Sequence, residues 1–267
     1  AAAGQTGPAK AALEKDAECT TCHNETWAKP VLAFYQTRHG NKADARTPGC
    51  RDCHGQSEGH LKDMTTPPDV VFARKSKHLS AADARNTSCL ACHDTKVLPR
   101  ANWVGSQHES RGVACTDCHN IHAPDQNVLS KATQAEVCFT CHKAQRAQVR
   151  RISAHPLAVT GIGSPAKMGC SDCHNPHGST GPTLLIKASV NETCYTCHAE
   201  KRGPFLWEHS PVVDNCANCH TPHGSSNASL LKMRAPWLCQ ECHSGDHGAQ
   251  VNSGANLAAG NVTTING

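Results

Sequence analysis

The chain has 267 residues with 18 Cys, 19 His, 20 Gly and 15 Pro, but only 4 Phe, 4 Trp, 2 Tyr and 3 Met, and its formal charge is +4. A chain so poor in large apolar side chains does not build an ordinary hydrophobic core from its own residues, so something other than peptide must supply the interior. No run of 18 apolar residues occurs, and we therefore expect no membrane-spanning helix.

The cysteines fall into nine C-x-x-C pairs, and a histidine follows the second cysteine of every pair. The pairs are, in chain order, Cys19 and Cys22, Cys50 and Cys53, Cys89 and Cys92, Cys115 and Cys118, Cys138 and Cys141, Cys170 and Cys173, Cys194 and Cys197, Cys216 and Cys219, and Cys239 and Cys242. The histidines are His23, His54, His93, His119, His142, His174, His198, His220 and His243. In c-type haem attachment, the two thiols of C-x-x-C-H bind the porphyrin vinyl groups and the histidine binds iron. The pattern predicts nine haem c groups, with these cysteines as attachment points and these histidines as proximal ligands.

Two other interpretations compete with haem. Paired C-x-x-C sequences also build zinc sites, and an even cysteine count in an oxidising compartment can form a disulfide framework. Neither requires a histidine directly after every second cysteine, so both explain less of the pattern than haem does.

The histidines outside the motifs predict the second axial ligands. Nine irons need nine distal ligands, and ten such histidines remain, which leaves one to spare. They are His39, His60, His78, His108, His122, His155, His177, His209, His223 and His247. Methionine, the other common sixth ligand, occurs only at Met64, Met168 and Met233. We therefore predict bis-histidine ligation throughout, with no catalytic residues.

The positions of these histidines form two groups. His122, His177 and His223 each stand three residues after a motif histidine, too close in sequence to reach the opposite face of the same ring easily, and we expect each to bind a neighbouring haem. Each histidine of a second group, which includes His39 and His209, follows a motif at a longer distance in sequence, which suits a short helix that carries the ligand at its far end. Which histidine serves which iron stays open.

The expected fold is a multihaem cytochrome c, mostly coil with short α-helices and little or no β-structure, in which an elongated haem array serves as the core. Helices are predicted over Leu13–Cys22 and Ala135–Ile152, and Ser244–Gly267 has the composition of a loop. The strings CTDCHNIHAP, CSDCHNPHGS and CANCHTPHGS, which start at Cys115, Cys170 and Cys216, form an internal repeat in which neighbours pack on neighbours.

The charge and the first residues bear on partners and compartment. Eighteen propionates would change the net charge from +4 to about −14 with ferrous or about −5 with ferric irons, so nucleic acid is not an expected partner. The chain starts AAAG, as a mature product cut after small residues would, and c-type haem is attached outside the cytoplasm, so we expect the periplasm.

The stretch Val31–Asp52, the CHNPHG and CHTPHG strings and the motif spacing resemble the MtrA/DmsE-type decahaem periplasmic cytochromes. The resemblance implies an electron conduit from periplasm to cell exterior, associated with the outer membrane through a β-barrel porin. Its implied partners are that porin, an outer-surface multihaem cytochrome or reductase, and a periplasmic or inner-membrane cytochrome. It also implies two multihaem halves, residues 1–160 with five motifs and 161–267 with four, with Gly161–Gly169 as the junction.

One departure from that family concerns the haem count, because the family has ten haems and this chain has nine motifs. The spare histidine fits a tenth haem whose motif lies beyond Gly267, and we expect either a truncated chain or a true nine-haem relative. Two alternative functions stay open. One is a soluble periplasmic electron shuttle or store, and the other is a multihaem reductase, which requires a haem with an open axial position.

Overall fold

The computed structural model describes residues 14–27, 29–40, 47–93, 102–159 and 167–243. Over these ranges the chain forms short helices and no β-strand, with four isolated β-bridges. The predicted fold class, mostly coil with short helices, is confirmed. The chain divides into two compact units, one up to Leu129 and one from Ser130 on.

In the first unit, the described α-helices are α1 (Ala17–Thr20), α2 (Cys50–His54), α3 (Glu58–Lys62), α4 (Ala82–Leu90) and α5 (Gln107–Ser110). Its 3₁₀ helices span Val31–Gln36, Cys115–Asp117 and Asn127–Leu129. Helices this short are not stable alone in water, so their conformation depends on what they pack against.

In the second unit, the described α-helices are α6 (Gln134–Cys138), α7 (Lys143–Gln148), α8 (Val190–Cys194), α9 (Ser210–Asp214) and α10 (Trp237–Gln240). Its 3₁₀ helices span Cys170–Asp172, Pro182–Leu184, Ala199–Lys201, Cys216–Asn218 and Ala228–Leu230.

Both predicted helices are interrupted. Within Leu13–Cys22, of which Leu13 is not described, residues 14–15 and α1 are helical with a turn at Asp16 between them, and over Ala135–Ile152 the structure has α6 and α7 with a break between them. The break lies at His142, whose ψ of 66° is not helical because the haem motif closes its own turn there. The predicted loop over Ser244–Gly267 lies outside the described residues.

The apolar core is small, as the composition indicates. In the described part of the chain, no large side chain is less than 2% exposed, and one cluster of buried apolar residues consists of Ala135, Phe139, Val149 and Val159. The units divide before the fifth motif, whereas the predicted halves divide after it. The grouping of five and four motifs stays a prediction, and residues 161–166 of its junction are not described.

Candidate functional site

Each C-x-x-C-H motif forms one tight helical turn. In eight motifs the histidine N–H donates to the carbonyl of the first cysteine over 2.9–3.0 Å, and the N–H of the second cysteine donates to the same carbonyl over 3.2–3.3 Å. The remaining motif forms helix α2. Because residues three and four apart lie on the same face of such a turn, the two thiols and the imidazole can contact the same bound group.

All eighteen cysteines lie within the described residues, and none forms a disulfide. The first cysteine of every motif is half-buried, whereas the exposure of the second differs between motifs. The second cysteine is exposed at Cys22, Cys92, Cys118, Cys141, Cys197 and Cys242, and it is half-buried at Cys53, Cys173 and Cys219. The same part of the chain holds no group of three or more His, Cys, Asp or Glu side chains placed to bind one metal ion. Haem attachment at these cysteines stays a prediction.

Three motifs have the form C-x-D-C-H, and their aspartates lock the turn. Each aspartate accepts a hydrogen bond from the N–H of the residue before the first cysteine and pairs with a basic side chain from an earlier segment. The sets are Asp52 with Gly49 (2.7 Å) and Lys15 (2.6 Å), Asp117 with Ala114 (2.8 Å) and Arg74 (3.2 Å), and Asp172 with Gly169 (2.9 Å) and Lys131 (2.9 Å). The Lys131 ammonium lowers the pKa of Asp172, and the Gly169 N–H lowers it further.

Buried polar side chains join the first eight motifs in consecutive pairs. An aspartate or asparagine three residues before the first cysteine of one motif accepts the backbone N–H of the first cysteine of the following motif. The pairs are Asp16 with Cys50 (2.8 Å), Asn86 with Cys115 (2.8 Å) and Asn191 with Cys216 (2.6 Å). Gln134, four residues before its cysteine, accepts from Ser171 over 3.0 Å. The motifs are therefore held two by two.

Six motif histidines each face a histidine from outside the motifs. The pairs and their ring-centroid separations are His23–His60 (6.1 Å), His54–His122 (6.4 Å), His93–His39 (5.7 Å), His174–His223 (6.1 Å), His198–His155 (6.4 Å) and His243–His209 (6.1 Å). Two imidazoles that bind one metal from opposite sides at about 2 Å per bond place their ring centres about 6 Å apart. The observed separations fit that requirement.

The outer ring nitrogens of seven histidines have acceptors within hydrogen-bonding distance. For six of them the acceptor is a main-chain carbonyl oxygen. These acceptors and their distances from Nδ1 are Val70 for His54 (3.1 Å), Thr66 for His60 (2.7 Å), Val31 for His122 (3.0 Å), Pro222 for His155 (2.8 Å), Thr183 for His174 (3.0 Å) and Ser229 for His220 (2.7 Å). For His119 the acceptor is Oε1 of Gln126, at 2.8 Å. A metal-binding histidine almost always donates its second ring N–H in this way. Nε2 is then the nitrogen available to a metal.

Backbone conformation places two of those acceptors. Thr183 and Ser229 have φ values of 51° and 55°, and the leucine after each also has positive φ. Such values are uncommon outside glycine and are retained where the surrounding structure enforces them. Here they direct a carbonyl oxygen to Nδ1 of His174 and of His220 in two copies of the repeat.

Burial lowers the pKa of three of the paired histidines and so favours the neutral form that binds metals. For His54 burial has the largest effect, the Val70 carbonyl partly opposes it, and His122 lowers the pKa further. Burial lowers the pKa of His23, and His60 adds to the effect. Burial also lowers the pKa of His223, and the neighbouring His174 adds to the effect. Neutral imidazole is the ligating form of histidine.

The structure brings together some predicted ligands and leaves others unassigned. His122 lies against His54 and His223 against His174, in each case a histidine of an earlier motif. Partner assignment stays a prediction for the motif histidines His119, His142 and His220 and for His78, His108 and His177. His247 lies outside the described residues.

Sequence reasoning missed the polar side chains that join consecutive motifs. Asp16, Asn86 and Asn191 are 2%, 5% and 6% exposed, so their role is internal. A signal for them exists in the strings DAEC, NTSC and NETC, where an acidic or amide residue stands three positions before a cysteine.

No helix among the described residues has the length and apolar character needed to cross a bilayer.

Comparisons with known proteins agree with the motif geometry. Residues 164–203 and 209–248 match the family model "Doubled CXXCH motif", and residues 50–134 match "Cytochrome c-type protein NrfB-like". The chain is similar to "Multiheme cytochrome MtrA" of Shewanella baltica (strain OS185), with 44% identity over 232 residues. That alignment covers 85% of this chain and 66% of the relative, so the chain spans slightly less than two thirds of the relative's length.

Proposed function

Because the chain belongs to the multihaem c-type cytochromes and thus to the electron-transfer proteins, we propose that it conducts electrons between the periplasm and the outer membrane or cell exterior. The observation that carries this proposal is the set of six histidine pairs, each joining a motif histidine to a second imidazole about 6 Å away. Iron with two imidazoles has no open axial position, so such a site exchanges electrons and does not bind substrate.

In this proposal each of the nine motifs holds one haem c. The two cysteines would attach the porphyrin, and the motif histidine together with a second histidine would hold the iron. The bound group supplies a one-electron redox couple. Two imidazole ligands favour low reduction potentials, since a methionine ligand would raise them. In this proposal the carbonyls behind His54, His60, His122, His155, His174 and His220 fix the orientation of the rings.

Within the first unit, the contacts between motifs favour a sequential order of haems. The thiols of Cys19 and Cys50 lie within hydrogen-bonding reach of each other. The side chains of Cys53 and Cys92 also lie near each other, and Asn86 joins the third motif to the fourth. We propose that electrons move through these four sites in chain order.

The second unit has the same alternation. The thiols of Cys138 and Cys170 and those of Cys194 and Cys216 are within hydrogen-bonding reach, and the side chains of Cys173 and Cys197 lie near each other. First cysteines thus face first cysteines and second cysteines face second cysteines. This alternation supports an order from the fifth motif to the eighth.

The cellular setting is proposed from the similarity to Multiheme cytochrome MtrA and from the sequence resemblance. We propose a periplasmic location, with an outer-membrane β-barrel porin as the immediate partner. An outer-surface multihaem cytochrome or reductase would exchange electrons at one end of the chain and a periplasmic or inner-membrane cytochrome at the other. Extracellular metal reduction, iron oxidation and DMSO respiration all use such a path.

The test of the conduit is reconstitution. The holoprotein is isolated from outer membranes of its source, with any β-barrel that co-purifies, and placed in liposomes that enclose a redox dye. We expect dithionite outside the liposomes to reduce the dye only when the cytochrome and the barrel are both present. A holoprotein that never co-purifies with a barrel and reduces soluble cytochromes directly would instead establish the periplasmic shuttle.

A further inference from the structure

The three repeats that start at Cys115, Cys170 and Cys216 share one local fold. In each, a 3₁₀ helix begins eight residues after the motif histidine: Asn127–Leu129, Pro182–Leu184 and Ala228–Leu230. In each, Nδ1 of the motif histidine lies 2.7–3.0 Å from an acceptor next to or inside that helix. The repeats differ in the kind of acceptor.

Behind His174 and His220 the acceptor is a main-chain carbonyl, and behind His119 it is the side-chain oxygen of Gln126 at 2.8 Å. The backbone explains the difference. The second residue of the later two 3₁₀ helices has positive φ and turns its carbonyl to the imidazole, whereas no residue of Asn127–Leu129 has positive φ. A glutamine one position before that helix supplies the acceptor instead.

We infer that Gln126 is a positioning residue that lowers the reduction potential of the haem bound by His119. This inference rests on the ligation proposed above. An acceptor at Nδ1 makes the imidazole a better electron donor and so stabilises ferric iron, and hydrogen bonding around the ligands is one of the means by which proteins set haem potentials. Because the acceptor is a side chain, the potential of this haem can be changed by one substitution that leaves the backbone unaltered.

The experiment compares three variants of the holoprotein by spectroelectrochemical titration, with haem content and the low-temperature EPR spectrum measured on each. Gln126→Leu removes the acceptor, and we expect one one-electron component to shift to higher potential. Gln126→Glu replaces the amide with a stronger acceptor of similar shape, and we expect the same component to shift to lower potential. Ser229→Gly is the matched control, because it keeps the carbonyl that serves His220, and we expect no shift.

Three results would overturn the role of Gln126. These are unchanged potentials in the leucine variant, shifts of equal sign in the leucine and glutamate variants, and a high-spin signal in the leucine variant. The last would mean that Gln126 holds the ligand in place without tuning it. A high-spin site at His119 in the unaltered protein would instead refute the proposed ligation itself.

Discussion

Removal of the Asn191 side chain should loosen the join between the seventh and eighth motifs. Asn191 is 6% exposed, its Oδ1 accepts the Cys216 N–H over 2.6 Å, and its Nδ2 donates to the carbonyls of Val212 (3.0 Å) and Val213 (2.8 Å). With alanine at this position, the Cys216 N–H loses its acceptor in a site with little access to water.

The magnitude follows from the cost of an unpaired buried amide, about 1–3 kcal/mol. Since 1.4 kcal/mol is a factor of ten, the Cys216 amide should exchange with solvent about 5- to 150-fold faster in Asn191→Ala. Amide hydrogen exchange followed by NMR on the reduced holoprotein measures this directly. Exchange is preferred to a melting curve here because it reports on the Cys216 amide itself, whereas a melting curve reports on the whole chain.

Asn218→Asp is the matched control. Asn218 is exposed and donates to the Pro211 carbonyl, the change gives the motif the form C-x-D-C-H found in three other motifs, and the Cys216 N–H keeps Asn191 as its acceptor. We expect the Cys216 amide to stay protected in this variant. Unchanged exchange in the alanine variant, or equal acceleration in both variants, would refute the claim that this side chain joins the two motifs.

Three further predictions follow from the described contacts. His223→Ala should open one axial position and produce a high-spin ferric EPR signal from one haem, and an entirely low-spin spectrum would contradict the pairing. Gly224→Ala would place a Cβ 2.1 Å from the carbonyl oxygen of Gln148, the last residue of α7, and should destabilise the fold by about 1–3 kcal/mol. Gly105→Ala is the control, because its Cβ would meet nothing within 4 Å. Thermal unfolding of the two variants tests whether the first is the less stable. The pairing with Lys131 lowers the pKa of Asp172, so it stabilises the protein at pH values above the ordinary carboxyl pKa of about 4. This stabilisation is lost as the pH falls through the folded-state pKa of Asp172. Lys131→Gln should therefore lower the free energy of unfolding by up to about 1 kcal/mol at neutral pH and leave it unchanged in acid, as pH-dependent unfolding would show.

The covalent chemistry of the molecule could be predicted from sequence because it is local. The five-residue motif C-x-x-C-H, which occurs nine times, predicts haem c attachment and one ligand for each site, and the scarcity of large apolar residues indicates the small core that the structure has. The shortness of the helices follows from the same cause, since the motif turn ends a helix, as it does at His142.

The pairing of histidines could not be predicted, because it depends on contacts between distant segments. His122 stands three residues from one motif histidine yet lies against His54 of an earlier motif, and His39 reaches His93 across 54 positions. The hydrogen-bond acceptor at Nδ1 of His119 could not be predicted from the sequence either. Nothing in the string CHNIHAPDQN shows that Gln126 replaces the carbonyl used in the other copies of the repeat.

The low-temperature EPR spectrum of the fully oxidised holoprotein, together with a count of haem per chain, tests most directly whether every iron is bound by two imidazoles. We predict nine haems, all low-spin, with no substantial high-spin signal. A spectrum in which a stoichiometric share of the iron is high-spin, or a preparation with haem on only some of the motifs, would contradict it.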